Sequence, residues 1–342
     1  ILLPLVSLVI LHSPKKCLGS EKLFKVIKNH PSADRRAFAM VDTVTGQDRI
    51  VEIDLSGEVV WEWKFPVELK DERKRLICRG ADIKYFPKTD SFLFNIPYKG
   101  AYFLNREGVY RKVVEDNQID HDVDLLSNGN FLYARGFVDK GEDQVREVTP
   151  SGKIKWVWRT ENYFPNRELF TASLPKRAKK RHLKTEGKDW AHVNAVERFN
   201  NGDTLISIRN FSMFVIVNSK GIIKEVVKNI PFVHEPHKTD FGFIAADRDS
   251  IRGKISMSVV LINKNNSRKK LLTGQFLTIR GIEKISNDRF FATSVGNVFE
   301  MDLKGKIYHR MHLTVQEEGS ERNLGSAYGR IPKDILTKGR CA

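Results

Sequence analysis

From Ala37 to Leu313 the apolar residues fall in short alternating runs rich in Val, Ile, Phe and Trp, broken every few positions by Gly, Asn or Asp. A period of two puts successive side chains on opposite faces of an extended chain, so these runs predict strands; almost no segment has helical spacing. One hairpin form recurs. Val51-Glu-Ile-Asp-Leu-Ser-Gly57-Glu-Val-Val-Trp61 reads as a strand, a tight turn at glycine and a returning strand ending on an aromatic. Turns of the same form lie at Gly108, Gly152, Gly221 and Gly305, with a degenerate copy at Asn266, and their spacings are 51, 44, 69, 45 and 39 residues. Ahead of them stand Asn128-Gly129, Asn201-Gly202 and Asn287-Asp288; Asn-Gly between alternating apolar residues is the strongest short-range hairpin signal. Six such repeats predict an all-β chain, a six-bladed β-propeller with four-stranded antiparallel blades at about 37–66, 78–115, 120–160, 191–228, 233–272 and 278–313.

Outside the repeats, Ile1 to Leu11 form an apolar run too short to span a membrane comfortably and suited to a signal-peptide core or an N-terminal anchor. Residues 1–20 are therefore expected to direct export to the periplasm or the extracellular space, with cleavage or membrane anchoring left open. Residues 21–36 read as a linker and 314–342 as a tail that packs across one face or frays. The 69-residue interval holds a basic insertion, 161–188, with Pro175-Lys-Arg-Ala-Lys-Lys-Arg-His-Leu-Lys184 inside it. No aromatics interleave with these charges as nucleic-acid stacking requires, so a solvated loop is expected and no nucleic-acid partner.

Composition adds little to the fold and more to the partner. A chain of 342 residues, 41% hydrophobic, supports a substantial core, and a formal charge of +16 favours anionic partners. Cys17, Cys78 and Cys341 show no CxxC or Cys/His ligand spacing, which argues against a disulfide framework or a zinc site; a single Cys78 to Cys341 bridge stays open. Asn210-Phe-Ser212 and Asn265-Asn-Ser267 match glycosylation sequons.

Registering the repeats on their turns aligns polar residues at the start of the innermost strands. Eight positions before Gly129, Gly202 and Gly242 stand His121, Asn194 and His234, with His192 two before Asn194; the same count from Asp288 gives Arg280, and Arg79 is its counterpart in the second blade. The inner strands line the central channel, so these residues predict a cationic, hydrogen-bonding funnel at one mouth. No carboxylate pair suits glycoside hydrolysis and no Ser/His/Asp order registers. Imidazoles beside Arg209, Arg79 and Arg280 sit in a field unfavourable to a metal cation, so no metal and no cofactor is expected. A neutral histidine that accepts a sulfuryl or phosphoryl group, beside arginine to hold its oxygens, fits better.

Asp189-Trp-Ala-His192-Val-Asn194, followed by Leu205-Ile-Ser-Ile-Arg209-Asn210, resembles the Asp-Trp-x-His-x-Asn … Ser-Arg signature of the arylsulfotransferase family, the PAPS-independent aryl-sulfate sulfotransferases. The resemblance extends over about residues 37–313. It implies a six-bladed propeller, usually exported, that moves sulfuryl from an aryl sulfate donor to a phenolic acceptor through a sulfohistidine. By the same resemblance His234 is the nucleophile, His192 and Arg209 bind sulfuryl oxygens, His121 assists the leaving phenolate and Asn194 orients His192. His237, in His234-Glu-Pro-His237, competes for the nucleophile's role, and Trp190 stands at the mouth beside His192. Arg79 and Arg280 are expected to bind substrate or to bridge blades. A non-catalytic propeller that binds acidic or sulfated glycans, or a protein, through a cationic mouth is the rival reading. The oligomeric state stays open.

Overall fold

The computed structural model describes residues 24–30, 37–42, 48–70, 81–166, 187, 189–251, 254–272, 279–294, 297–313 and 329–331. These residues form six antiparallel sheets. Four are meanders of consecutive strands in which the first, innermost strand opens the blade: Ile83–Phe86 in blade two, Val123–Leu125 in blade three, Val193–Arg198 in blade four and His234–Thr239 in blade five. Blade six opens with Ile279–Lys284.

Two blades recruit strands that the sequence reading left outside the propeller. Phe24–Asn29, expected as linker, pairs with Ile307–Leu313 and makes blade six five-stranded. Gly329–Ile331, expected in a packed or frayed tail, pairs with Ala37–Asp42 and supplies the inner strand of blade one. Sheet edges present unpaired N–H and C=O groups, and a strand from the far end of the chain satisfies them here. The apolar run 1–11, the Pro175–Lys184 stretch and the three cysteines lie outside the described residues.

Six buried clusters hold the blades together, one at each junction between neighbours: one with two, two with three, three with four, four with five, five with six and six with one. The ring is closed by packing as well as by strand exchange. Tryptophans at the outer edge of a blade reach the next blade's turn. Trp63 Nε1 donates to the Gly108 carbonyl at 3.2 Å and Trp158 Nε1 to that of Gly221 at 3.1 Å. Gly221 has φ +81°, which L-residues rarely adopt, so the turn favours glycine. Asn266 serves the same turn in blade five with φ +62°. His309 is fully buried between strands of blade six, and Asn210 of the first sequon is buried too.

Blade five differs from the others in length. Its second and third strands, Gly242–Ile251 and Lys254–Asn263, run ten residues each and remain paired to their hairpin end, whereas Asp247 to Ile251 extend past the inner strand. The extension begins at the mouth end, where His234 pairs with Ala246, and projects beyond it.

Candidate functional site

The aligned histidines sit where the inner strands begin. His121 and His192 both have left-handed backbones, φ +68° and +50°, a conformation that costs non-glycine residues about 1 kcal/mol or more and concentrates at functional sites. Local hydrogen bonds hold them there: the His121 amide donates to Asp120 Oδ1 at 2.8 Å, and the His192 carbonyl accepts from the Arg209 amide at 3.2 Å. The two Nε2 atoms stand 3.0 Å apart, and both rings are buried. His192 Nδ1 lies 2.8 Å from Asp189 Oδ1, a carboxylate that can only accept, so Nδ1 donates. Asp189, His192 and His121 thus form a hydrogen-bonded row. Gly136 backs it: a Cβ at that position would meet His121 Cδ2 at 2.9 Å, so any larger residue displaces the ring.

His234 opens the inner strand of blade five and is 4% exposed. Its Nδ1 lies 2.6 Å from the Phe232 carbonyl oxygen. A carbonyl accepts, so the proton is on Nδ1 and the lone pair on Nε2 in the neutral ring. Arg209 ties His234 to His192. Its amide binds the His192 carbonyl and its guanidinium lies 5.4 Å from the centre of the Phe232 ring, whose backbone carbonyl holds His234.

The residues around these histidines do different work from that implied by the resemblance. Asn194 Nδ2 donates to the Val233 carbonyl at 2.9 Å, and Ser207 Oγ reaches the same oxygen at 3.3 Å. They fix the peptide just before His234, whereas Asp189 is the group at the His192 ring. Asn210 Nδ2 in turn donates to the Asp189 carbonyl at 2.6 Å. Trp190 does not face the mouth as a substrate platform. It is buried in the junction of blades three and four, edge-on to Phe211 at 5.6 Å.

An exposed aromatic pair borders the histidines instead. Phe137 is 42% exposed and sets its edge against the His192 ring at 4.5 Å and 84°, and Tyr98, 44% exposed, stacks on Phe137 at 5.9 Å. Burial of the Tyr98 hydroxyl, with the charges of Asp120 and Asp189 nearby, pushes its pKa up to about 12. Neither residue belongs to the repeated strand pattern, and only the loops that carry them bring them together.

Below the mouth the channel is acidic, which corrects the expectation of a cationic funnel. A cavity of about 380 Å³ is lined by Asp82, Asp124, Glu197, His237 and Glu283, each three residues past one of the aligned positions Arg79, His121, Asn194, His234 and Arg280. Lys84 Nζ sits among carboxylates, 2.5 Å from Asp122 and Asp124 and 3.4 Å from Asp82. Burial raises the Asp124 pKa to about 6 in spite of Lys84. Burial, reinforced by Asp122 and Asp82, holds Glu235 well above the carboxylate range. Lys84 and Lys284 are the lysines of this lining. His237 belongs to this inner wall: its Nε2 lies 2.6 Å from the Ile282 carbonyl and its Nδ1 3.4 Å from Glu197. Burial lowers its pKa, but Glu197 and the Ile282 carbonyl outweigh that and raise it. Both its nitrogens are engaged in bridging blades four, five and six, which distinguishes it from His234. Arg280 lies on the inner strand of blade six at a register shift between Ile279 and Gly281, and Arg79 lies outside the described residues. Equivalent shifts follow the mouth positions of blades four and five, at Val193 to Val196 and His234 to His237. Such bulges occur often beside active sites. Among the described residues no group of histidines, cysteines and carboxylates has metal-binding geometry.

Comparison with solved structures places the chain beside a protein of unknown function from Bacteroides caccae, 14% identical, with a TM-score of 0.57 over 88% of this chain and 100% of that one. A streptogramin B lyase is 11% identical with a TM-score of 0.46 over 76% and 81%. A catalytically inactive virginiamycin B lyase from Staphylococcus aureus, solved with quinupristin, is 11% identical with a TM-score of 0.47 over 87% and 91%. The first of these supports the fold alone. None of the curated proteins compared matches the chain. Residues 98–227, which carry the His121 and His192 row, Arg209 and the aromatic rim residues Tyr98 and Phe137, match the arylsulfotransferase (ASST) family model. By that match and its propeller of antiparallel sheets, the chain is similar to the arylsulfotransferases.

Proposed function

We propose that this chain transfers a sulfuryl group from an aryl sulfate ester to a phenolic acceptor, with His234 as the nucleophile. The observation that carries the reading is the Nδ1 contact of His234 with the Phe232 carbonyl, which leaves the ring's lone pair on Nε2, beside Arg209 of the residues that match the family model. His234 Nε2 attacks the sulfur, the bond from sulfur to the aryl oxygen breaks, and a sulfohistidine forms. The departing phenolate takes a proton from the singly protonated pair of His121 and His192, leaving both rings neutral. In the second half the acceptor phenol returns a proton to the pair as its oxygen attacks sulfur, and the N–S bond breaks to restore neutral His234. Arg209 supports the sulfuryl oxygens. Phe137 and Tyr98 give the aryl ring a stacking surface beside the acid.

Donor and acceptor use one site in turn, so the kinetics are ping-pong. The apolar run Ile1 to Leu11 supports export and offers a membrane attachment. Among the described residues no helix is long and apolar enough to cross a membrane. The test is phenol release from a chromogenic aryl sulfate, with and without a second phenol, for wild type and His234→Ala. Release that needs both the acceptor and His234 supports transfer. Wild-type release that ignores the acceptor points to hydrolysis, and equal release by His234→Ala removes this histidine as the nucleophile.

A further inference from the structure

Blade five carries a cation that has no counter-ion among the described residues. Arg248 stands on the long strand Gly242–Ile251, where that strand runs past the inner strand. Its amide donates to the Pro231 carbonyl at 2.8 Å, which pins the strand to the segment leading into His234. Its guanidinium lies 4.1 Å from the centre of the Phe232 ring. Among the described residues it has neither a carboxylate partner nor a hydrogen-bond acceptor, and burial with no opposing charge lowers its pKa.

Phe232 is thus a shared floor for two cations. Arg209 lies over the same ring at 5.4 Å, and the backbone carbonyl of Phe232 receives His234 Nδ1. Phe232 itself has φ +55°, so its turn holds both the ring and the carbonyl in place. Bringing two guanidinium groups to one ring is electrostatically unfavourable unless an anion lies between or beside them, and a half-buried arginine is seldom left without an acceptor. A guanidinium stacked on an aromatic ring keeps its edge, with the N–H fork, directed outwards.

We infer that Arg248 and Arg209, set on Phe232, form a binding site for a tetrahedral oxyanion next to His234. This rests on the transfer reading only in taking that anion to be the sulfuryl group of the donor; the site itself follows from the two cations and the missing counter-ion. Arg248 would supply a two-pronged contact to oxygens that Arg209 alone, already drawn towards Asp189 at 3.9 Å, reaches from one side. The extended hairpin of blade five is then the part of the fold that delivers the second arm.

The test is calorimetric titration of the full chain with inorganic sulfate at fixed ionic strength, with chloride as the ionic control. Wild type should bind sulfate, and Arg248→Ala should weaken it about tenfold or more, the effect of losing a charge-assisted contact. Arg248→Lys should fall between them, since it keeps the charge and loses the fork. Arg111→Ala, at an exposed arginine on blade two, should match wild type. Thermal melts identify any variant that fails to fold, and Arg248→Gln, which keeps much of the stem, then replaces alanine. Absent sulfate binding in wild type, or equal binding by Arg248→Ala, overturns the inference. Sulfate binding that depends on Arg248 in a chain that turns over no aryl sulfate keeps the anion site and discards the transfer reading. Turnover with sulfate binding indifferent to Arg248 does the reverse.

Discussion

His121 and His192 meet nitrogen to nitrogen at 3.0 Å across the junction of blades three and four, so one proton lies between two rings. Asp189 fixes the far side of the row by accepting from His192 Nδ1. Asp189→Asn keeps the shape and removes the charge that stabilises a protonated row. The expected result is a fall in kcat by roughly 10²–10⁴ with phenol affinity unchanged, the range for loss of a general acid. The alkaline limb of the pH profile should move to lower pH as well, because the row's proton is held less tightly. Steady-state kinetics on an aryl sulfate check both, and an unchanged kcat rules the relay out.

Phe137 touches His192 by its edge and Tyr98 by its face, so it is the part of the rim that an aryl ring would meet. Phe137→Ala should raise KM for an aryl sulfate about two- to tenfold, the worth of one aromatic contact, and leave an alkyl sulfate almost unaffected. With its pKa near 12, Tyr98 stays a neutral phenol across the working range, so Tyr98→Phe should not alter the pH profile below about pH 10. Equal losses on aryl and alkyl donors would place the aryl ring elsewhere.

The blades were legible because each depends on a local signal: alternation makes the strands, and a residue tolerant of positive φ makes the turn. Gly57, Gly108, Gly152, Gly221 and Gly305 all have φ between +81° and +93°. Closure was not legible. Gly329–Ile331 is too short to show a period, and its place beside Ala37–Asp42 is set by the ring and not by its own residues. The mouth positions were found by register, but the count stopped three residues early. Carried on, it meets Asp82, Asp124, Glu197 and Glu283 and gives the acidic channel. His309 was also readable, since Ile307-Tyr-His309-Arg-Met311 alternates and puts the histidine on the apolar side with Met311. Arg248, Phe137 and Tyr98 were not, because loop packing and an overlong hairpin bring them to the site.

His309 should make the fold acid-sensitive. It is fully buried, neither ring nitrogen has a hydrogen-bond partner among the described residues, and burial pushes its pKa down to about 4 from an ordinary 6.5. Above pH 6.5 it is neutral in both states and contributes no pH dependence. As pH falls from about 6.5 to about 4 the unfolded chain takes up a proton that the folded chain refuses, so stability drops, by about 3 kcal/mol at most, and then levels off. Glu52 acts in the opposite sense, because burial raises its pKa to about 7 and acid favours its folded form. The informative quantity is therefore the difference between wild type and His309→Leu in urea midpoints at pH 7 and pH 5. The variant should lose less stability on acidification, and parallel losses would clear His309.

Lys84 should matter most to the inner wall. It binds Asp122 and Asp124 at 2.5 Å, and Asp122 also accepts the Val196 amide at 2.7 Å, so one lysine links blades two, three and four. Burial opposes its charge, and Asp122, Asp124 and Asp82 outweigh burial and hold its pKa well above the ordinary value. Lys84→Met leaves three neighbouring carboxylates without their cation, and removing one partner of a buried pair costs about 3–5 kcal/mol. The loss should depend on pH. Asp124, already raised to about 6, and Asp82, held well above the ordinary carboxylate range by burial, rise again in the variant, so its folded state binds more protons than its unfolded chain. Stability of the variant then climbs as pH falls from 7 towards 5, and Asp124→Asn added to Lys84→Met should recover part of the loss at pH 7 by removing one charge. A penalty of the same size at both pH values, with no recovery in the double variant, would mean that the lysine's stem packing, rather than its charge, holds the three blades together.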